Sequence, residues 1–134
     1  NMAEEDDAPS MEWLIQELSS SRLDTSSPLK RKQVIQAALE RISEDENDRQ
    51  ALVELQDGVS CRSNHAVRRM TNLYCLALLK EENTQVIESL VKGLCRVLSQ
   101  STDLFITETC SKRLESKKEA LVPILKQIAK DSTS

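Results

Sequence analysis

Four cysteines and one histidine are the residues best placed to do chemistry in this chain: Cys61, Cys75, Cys95 and Cys110, with His65 as the sole imidazole. The cysteines stand 14, 20 and 15 residues apart, and none forms the close Cys-x-x-Cys clip on which a structural zinc site draws. No metal and no cofactor is expected. Cys61 precedes His65 by four residues, which on a continuous helix would put thiol and imidazole on one face. A Cys–His couple needs a positioned thiolate and a third group to orient the base. The polar stretch from 59 to 64 reads as a loop, so His65 reads as a surface residue near a helix N-terminus. Cys75 and Cys95 fall on helical apolar faces and read as small core residues. The carboxylates lie in solvent-facing runs, where nothing raises their pKa values towards acid–base work. No enzyme is expected.

Binding chemistry has more candidates. Lys30, Arg31 and Lys32 cluster at one helix start, Arg68 and Arg69 lie together further on, and Lys112, Arg113, Lys117 and Lys118 come late. Such groups contact phosphates, but stacking aromatics are missing, and the plain alternative is solvated helix faces. Ser27-Pro28-Leu29-Lys30 reads as an N-cap with a first-turn proline. It also resembles the consensus of cyclin-dependent kinases, and a phosphate on Ser27 would suit the helix dipole and the nearby Lys30 and Arg31. Four acidic residues precede Met11, Trp13, Leu14, Ile15 and Leu18. That segment is either an acidic amphipathic helix that docks in a partner's groove or the first helix of the domain itself.

The elements that must position these residues are helices. The chain has 134 residues, 30% of them charged and 39% hydrophobic, with a net charge of -4. That is the size of one domain, and it lacks the basic surplus of a dedicated nucleic-acid module. Two glycines and three aromatic residues, Trp13, Tyr74 and Phe105, exclude glycine-rich phosphate loops and argue against a hairpin-rich β fold. No apolar run approaches the ~20 residues of a membrane span. Asn1 reads as an addition before a native start at Met2. The acidic residues after Met2 fit neither a secretory signal nor a mitochondrial presequence, so a cytoplasmic or nuclear location and free thiols are expected.

Apolar spacing of 3.6 residues predicts about seven helices. The first uses Pro9 in its opening turn and carries Met11, Leu14, Ile15 and Leu18; residues 22 to 27 read as a linker. The second starts at Ser27-Pro28 with the stripe Ile35, Ala38, Leu39 and Ile42 and ends in Glu44-Asp45-Glu46. Asn47 with Gln50 reads as a capping box for a third helix bearing Leu52, Leu55 and Val59, stopped by Gly58. Asn64 caps a long central helix to about Glu82, carrying Val67, Met70, Leu73, Tyr74, Ala77 and Leu78. Asn83-Thr84 caps the next, with Ile87, Leu90, Val91, Leu94 and Leu98; Gly93 inside it costs about 1 kcal/mol against alanine, which either close approach of another helix or tolerated weakness explains. Thr102-Asp103 opens a helix using Ile106, Cys110 and Leu114. Ser116 with Glu119 reads as the capping box of the last, whose inward face is Leu121, Ile124, Leu125 and Ile128. Pro123 should kink that helix or delay its start. Residues 1–9 read as a disordered acidic segment, 10–130 as one helical domain (10–20 being the candidate docking helix), and 131–134 as a disordered tail.

Leu52-Val53-Glu54-Leu55, Leu90-Val91-Lys92-Gly93-Leu94 and Leu121-Val122-Pro123-Ile124-Leu125 open apolar faces with the same Leu-Val pair. Similar lead-ins, Ala38-Leu39-Glu40-Arg41-Ile42 and Leu76-Ala77-Leu78-Leu79, each run into a Glu-Asn turn. Over roughly residues 34 to 130 this resembles armadillo and HEAT repeats, with an irregular period and Gly58 as the one repeat-type glycine. The resemblance implies stacked helical hairpins; an irregular helical bundle is the alternative. It implies a non-enzymatic scaffold or adaptor that binds another protein along one helical face and helps assemble an intracellular complex. Lys92, Arg96 and Lys126, which punctuate the apolar faces of the second helices, are then the expected contact residues, together with Trp13 and Leu14. The alternative function is a nucleic-acid-associated factor using the basic clusters.

Overall fold

Helix starts follow the supply of short side-chain acceptors. The computed structural model describes residues 8–55 and 59–132, and these form helices α1 (Met11–Ser19), α2 (Pro28–Glu44), α3 (Glu46–Leu55), α4 (Asn64–Lys80), α5 (Thr84–Leu98), α6 (Leu104–Arg113) and α7 (Lys118–Ser132). Short 3₁₀ turns occupy Ser21–Thr25 and Glu115–Lys117, and no strand occurs among the described residues. Ser10, Ser27, Ser63, Asn83 and Asp103 each take up first-turn N–H groups of α1, α2, α4, α5 and α6, so five helix starts rest on side-chain caps.

Several boundaries differ from the sequence reading for identifiable reasons. Ser10 caps α1, which leaves Pro9 outside its first turn. The expected linker at 22–27 is mostly a 3₁₀ turn, pinned by buried Leu23. Asp45 follows α2 directly, and its carboxylate accepts from the Asn47 N–H at 2.8 Å. The capping role expected of Asn47 therefore falls two residues earlier. Ser63, with extended backbone, displaces Asn64 as the cap of α4, which ends at Lys80 rather than Glu82. Ser116 lies inside the second 3₁₀ turn, which runs into α7 with Lys118 already helical, so no extended cap position exists there. Helix α7 continues through Pro123, and the missing N–H leaves the Glu119 carbonyl without its usual helical donor. It also runs through Asp131 and Ser132, where a disordered tail was expected. The proposed stop at Gly58 and the acidic residues 1–7 lie outside the described residues.

Helix α4 is the centre of the fold. It packs against α1, α2, α5, α6 and the first 3₁₀ turn. It buries Ala66, Val67, Met70, Thr71, Leu73, Tyr74, Cys75, Ala77 and Leu78, more than one helical face. Helix α1 lies on α2, α3 and α4 with Met11, Leu14, Ile15 and Leu18 inside the core. Gly93 of α5 faces the Tyr74 ring: a Cβ there would stand 2.7 Å from ring carbon and hydroxyl oxygen. Of the two readings of this glycine, close approach holds, and the neighbour is an aromatic side chain of α4.

Two guanidinium groups fasten the helix ends. Arg69 of α4 pairs with Asp24 at 2.6 Å and donates to the carbonyls of Leu18 and Ser20, taking up acceptors at the end of α1. Arg49 of α3 pairs with Glu81 at 2.6 Å and donates to the Ile42 carbonyl near the end of α2. Both pairs are largely shielded from solvent, and the carbonyl contacts give each guanidinium further hydrogen bonds beyond its carboxylate.

Candidate functional site

A groove walled mainly by aliphatic side chains lies at the C-terminal end. Helix α5 presents Val91, Leu94, Cys95 and Leu98, positions three or four apart on one side. Helix α7 presents Leu121, Val122 and Leu125 opposite, and α6 contributes Thr107, Cys110 and Ser111 to the floor beside Leu78 of α4. Together they bound an open groove of about 360 Å³. Glu115 and Lys118 are the charged residues on its lining. The groove exists because α7 is lightly attached. It contacts α5, and Leu121 is its only buried hydrophobic residue among those described. Leu125 is 45% exposed, although its spacing with Leu121 and Ile128 had placed it inward.

The groove floor carries sulfur. Cys110 Sγ lies 3.4 Å from Cys75 Sγ, joining α6 to α4 inside the core. The thiol hydrogen bond from Cys75 favours the Cys110 thiolate, burial opposes it, and the nearby Arg113 charge adds to it; the net effect lowers the Cys110 pKa. Cys75 moves the other way, raised by that same hydrogen bond and by burial. Cys61 is buried away from this pair, and burial pushes its thiol up to about 11. Its backbone N–H donates to the Gln100 side chain at 2.6 Å. Cys95 is exposed at the groove edge rather than in the core as expected. A nearby small cavity of about 110 Å³, lined by Arg68, Thr71, Thr109 and Arg113, also reaches Cys110.

The residues singled out from the sequence are dispersed. Trp13 is 42% exposed on the outer face of α1, whereas Leu14 is 1% exposed and belongs to the core, so it is closed to a partner. Lys92 forms an ion pair with Glu88 one turn earlier in α5. Arg96 and Lys126 are exposed on α5 and α7. Of the basic residues, Lys30 pairs with Glu17, Arg31 donates to the carbonyls of Asp24 and Ser26, Arg69 holds Asp24, and Lys117 donates to the Glu81 carbonyl. Four of the nine thus serve the fold; Lys32, Arg68, Lys112, Arg113 and Lys118 are exposed. Ser27 is exposed, and its hydroxyl accepts from the Lys30 N–H at 3.2 Å. His65 is exposed in the first turn of α4. Among the described residues no cluster of His, Cys, Asp and Glu is arranged to hold a metal ion, and no helix is long and apolar enough to cross a membrane.

Sequence reading missed both the groove and the thiol pair. The signal for the groove was present in the α5 and α7 stripes, read there as core. The pair joins residues 35 apart in the chain, and nothing in sequence spacing brings them together.

No family model matches the chain, and neither a curated protein nor a solved structure matches it.

Proposed function

We propose that this protein is a non-enzymatic interaction module that receives an amphipathic helix of another protein in the groove between α5, α6 and α7. The observation that carries the reading is the groove itself: about 360 Å³ of space, aliphatic on both walls and edged by exposed Leu125. Helix-in-groove recognition requires such a trough, filled by partner side chains at i, i+3 or i+4, and i+7. Phe105, 65% exposed, and Leu104 at the start of α6 extend the apolar surface outside the trough. The hairpin of α4 and α5, joined by the short turn at Glu81–Asn83, with α7 laid against α5, is the packing that an armadillo- or HEAT-like stack uses, and we include that repeat type in the proposal. The contact residues shift accordingly, from Trp13 and Lys92 towards Val122 and Leu125, with Arg96 and Lys126 on the same two helices.

The engagement of Arg31, Arg69 and Lys117 with backbone carbonyls favours this reading over the nucleic-acid one, because those groups would have to leave the fold to meet phosphates. The test is affinity capture from nuclease-treated extract at about 0.15 M salt and again at higher salt, comparing the native chain with Leu125→Glu. A protein retained at both salts by the native chain and lost with Leu125→Glu is expected. Capture unaffected by Leu125→Glu would refute the groove. Loss of all bound material on nuclease or salt would move the function to the basic residues.

A further inference from the structure

The geometry points to Cys110 and Cys75 as a hydroperoxide-sensitive dithiol, in which Cys110 is oxidised first and Cys75 resolves it to an intramolecular disulfide tying α6 to α4. Two observations carry this independently of any partner in the groove. The first is contact: the sulfurs are 3.4 Å apart across two helices that already pack together. Closing to the roughly 2.05 Å of a disulfide requires a side-chain adjustment of little more than an ångström. The second is a small cavity, separate from the groove, that also reaches Cys110. Its volume is about 110 Å³, room for a few water-sized molecules, and its lining includes the guanidinium-bearing residues Arg68 and Arg113. Thr71, 2% exposed, lines the same cavity, and its hydroxyl finds no hydrogen-bond partner among the described residues. A buried orphan hydroxyl beside a thiol and two cationic side chains suits a small, polar, hydrogen-bonding oxidant.

The two thiols are not equivalent. Cys110 lines both the cavity and the groove, whereas Cys75 lines neither. Cys110 is also the sulfur whose thiolate is favoured, by the hydrogen bond from Cys75 and then by the Arg113 charge. In the first step the Cys110 thiolate attacks one peroxide oxygen and the O–O bond breaks. Cys110 becomes a sulfenic acid, and the departing oxygen leaves as water once it takes up the proton that the thiol released. In the second step Cys75 sulfur attacks the sulfenic sulfur, the S–S bond forms and the S–O bond breaks. The Cys75 proton leaves with the hydroxyl as a second water. Two thiols lose two electrons in total, and one hydroperoxide is reduced. Cys95, exposed at the groove edge, is not required.

The experiment uses the full chain with stoichiometric hydrogen peroxide, quenching, and alkylation under denaturing conditions before peptide mass spectrometry. Two of the four thiols are expected to be lost, with the peptides of Cys75 and Cys110 recovered joined. Cys95→Ser should give the same product, and the oxidised chain should melt higher by on the order of 10 °C, because the new link constrains the unfolded chain. Cys75 and Cys110 remaining alkylatable at peroxide doses that oxidise Cys95, or a product linked between chains through Cys95, would overturn the inference. In Cys110→Ser, with folding checked by circular dichroism, Cys75 should resist oxidation; its ready oxidation there would refute Cys110 as the first target.

Discussion

The two ends of this molecule use the same helical stripes and finish them differently. At the N-terminal end, α1 brings the stripe Met11, Leu14, Ile15 and Leu18, and all four are covered by α2, α3 and α4, leaving Trp13 outside. Arg69 then ties the end of α1 and the following turn to α4. At the C-terminal end, α7 brings Leu121, Val122, Ile124, Leu125 and Ile128, and only Leu121 is buried. No helix among those described lies beyond α7 to cover the rest. An apolar stripe covered by three neighbours is a core, and one covered by a single neighbour is half of a groove. The difference lies in the number of partners, since the spacing is helical in both.

That contrast is testable by parallel substitutions, read as changes in unfolding free energy by urea denaturation. The largest effect is expected from Leu73→Ala in α4, which is fully buried at the hub. It removes aliphatic contacts from a site with neighbours on every side, and a loss of about 3 kcal/mol is expected. Arg69→Ala should follow at about 2 to 3 kcal/mol, since it strands the Asp24 carboxylate and releases two carbonyls together. If Arg69→Ala cost no more than an exposed substitution, the fastening of α1 would not be electrostatic.

Gly93→Ala is a finer probe. Helix propensity alone would favour alanine by about 1 kcal/mol. The added Cβ would meet the buried Tyr74 ring at 2.7 Å, and overpacking of that kind costs about 1 to 3 kcal/mol. A net loss of about 1 kcal/mol is expected, and a gain would show that the Tyr74 ring can yield.

Acid should loosen the N-terminal end selectively. Partial burial works against the charge on Asp24, but hydrogen bonds from Ser63 and Arg69 and the charges of Arg69 and His65 outweigh it and hold its pKa below 3.8. A carboxyl with a depressed folded pKa adds stability that is fully present above its unfolded value. That stability is lost as pH falls through 3.8 and on past the folded value. Asp24→Asn should therefore separate from the native chain at pH 6 and draw together with it as pH falls below 3.8, measured by urea midpoints. The smallest stability effect belongs to Leu125→Ala, under about 0.5 kcal/mol by the same denaturation, because the residue is already 45% exposed. Its expected consequence is weakened capture of a partner. A large stability loss instead would make the groove wall part of the core.

Much of this architecture is legible in the residues. Ser27-Pro28 and Asn83 mark helix starts because one short acceptor side chain suffices to satisfy first-turn donors. The Ile87–Leu98 stripe marks a buried face because its spacing matches the helical period. Gly93 left close approach and tolerated weakness both open, and only the fold decided for the first and named Tyr74. The cap that should have been Asn47 fell to Asp45 because capping depends on where the preceding helix ends, which neighbouring residues of similar chemistry can shift. Leu14 and Trp13 lie one position apart on a segment whose pattern suits either a docking helix or the first helix of the domain. Packing divides them, since their side chains point about 100° apart around the helix.

What the sequence determined by itself is therefore local: that the chain is helical, where most helices begin, and which residues form apolar faces. These follow from hydrogen bonds and spacings within a few residues. Only the tertiary structure decided which faces were covered, which cations were consumed by backbone carbonyls, and that Cys75 meets Cys110 beside a small polar cavity. Those outcomes depend on helices distant in sequence arriving at one place, and no local pattern encodes the distance between them.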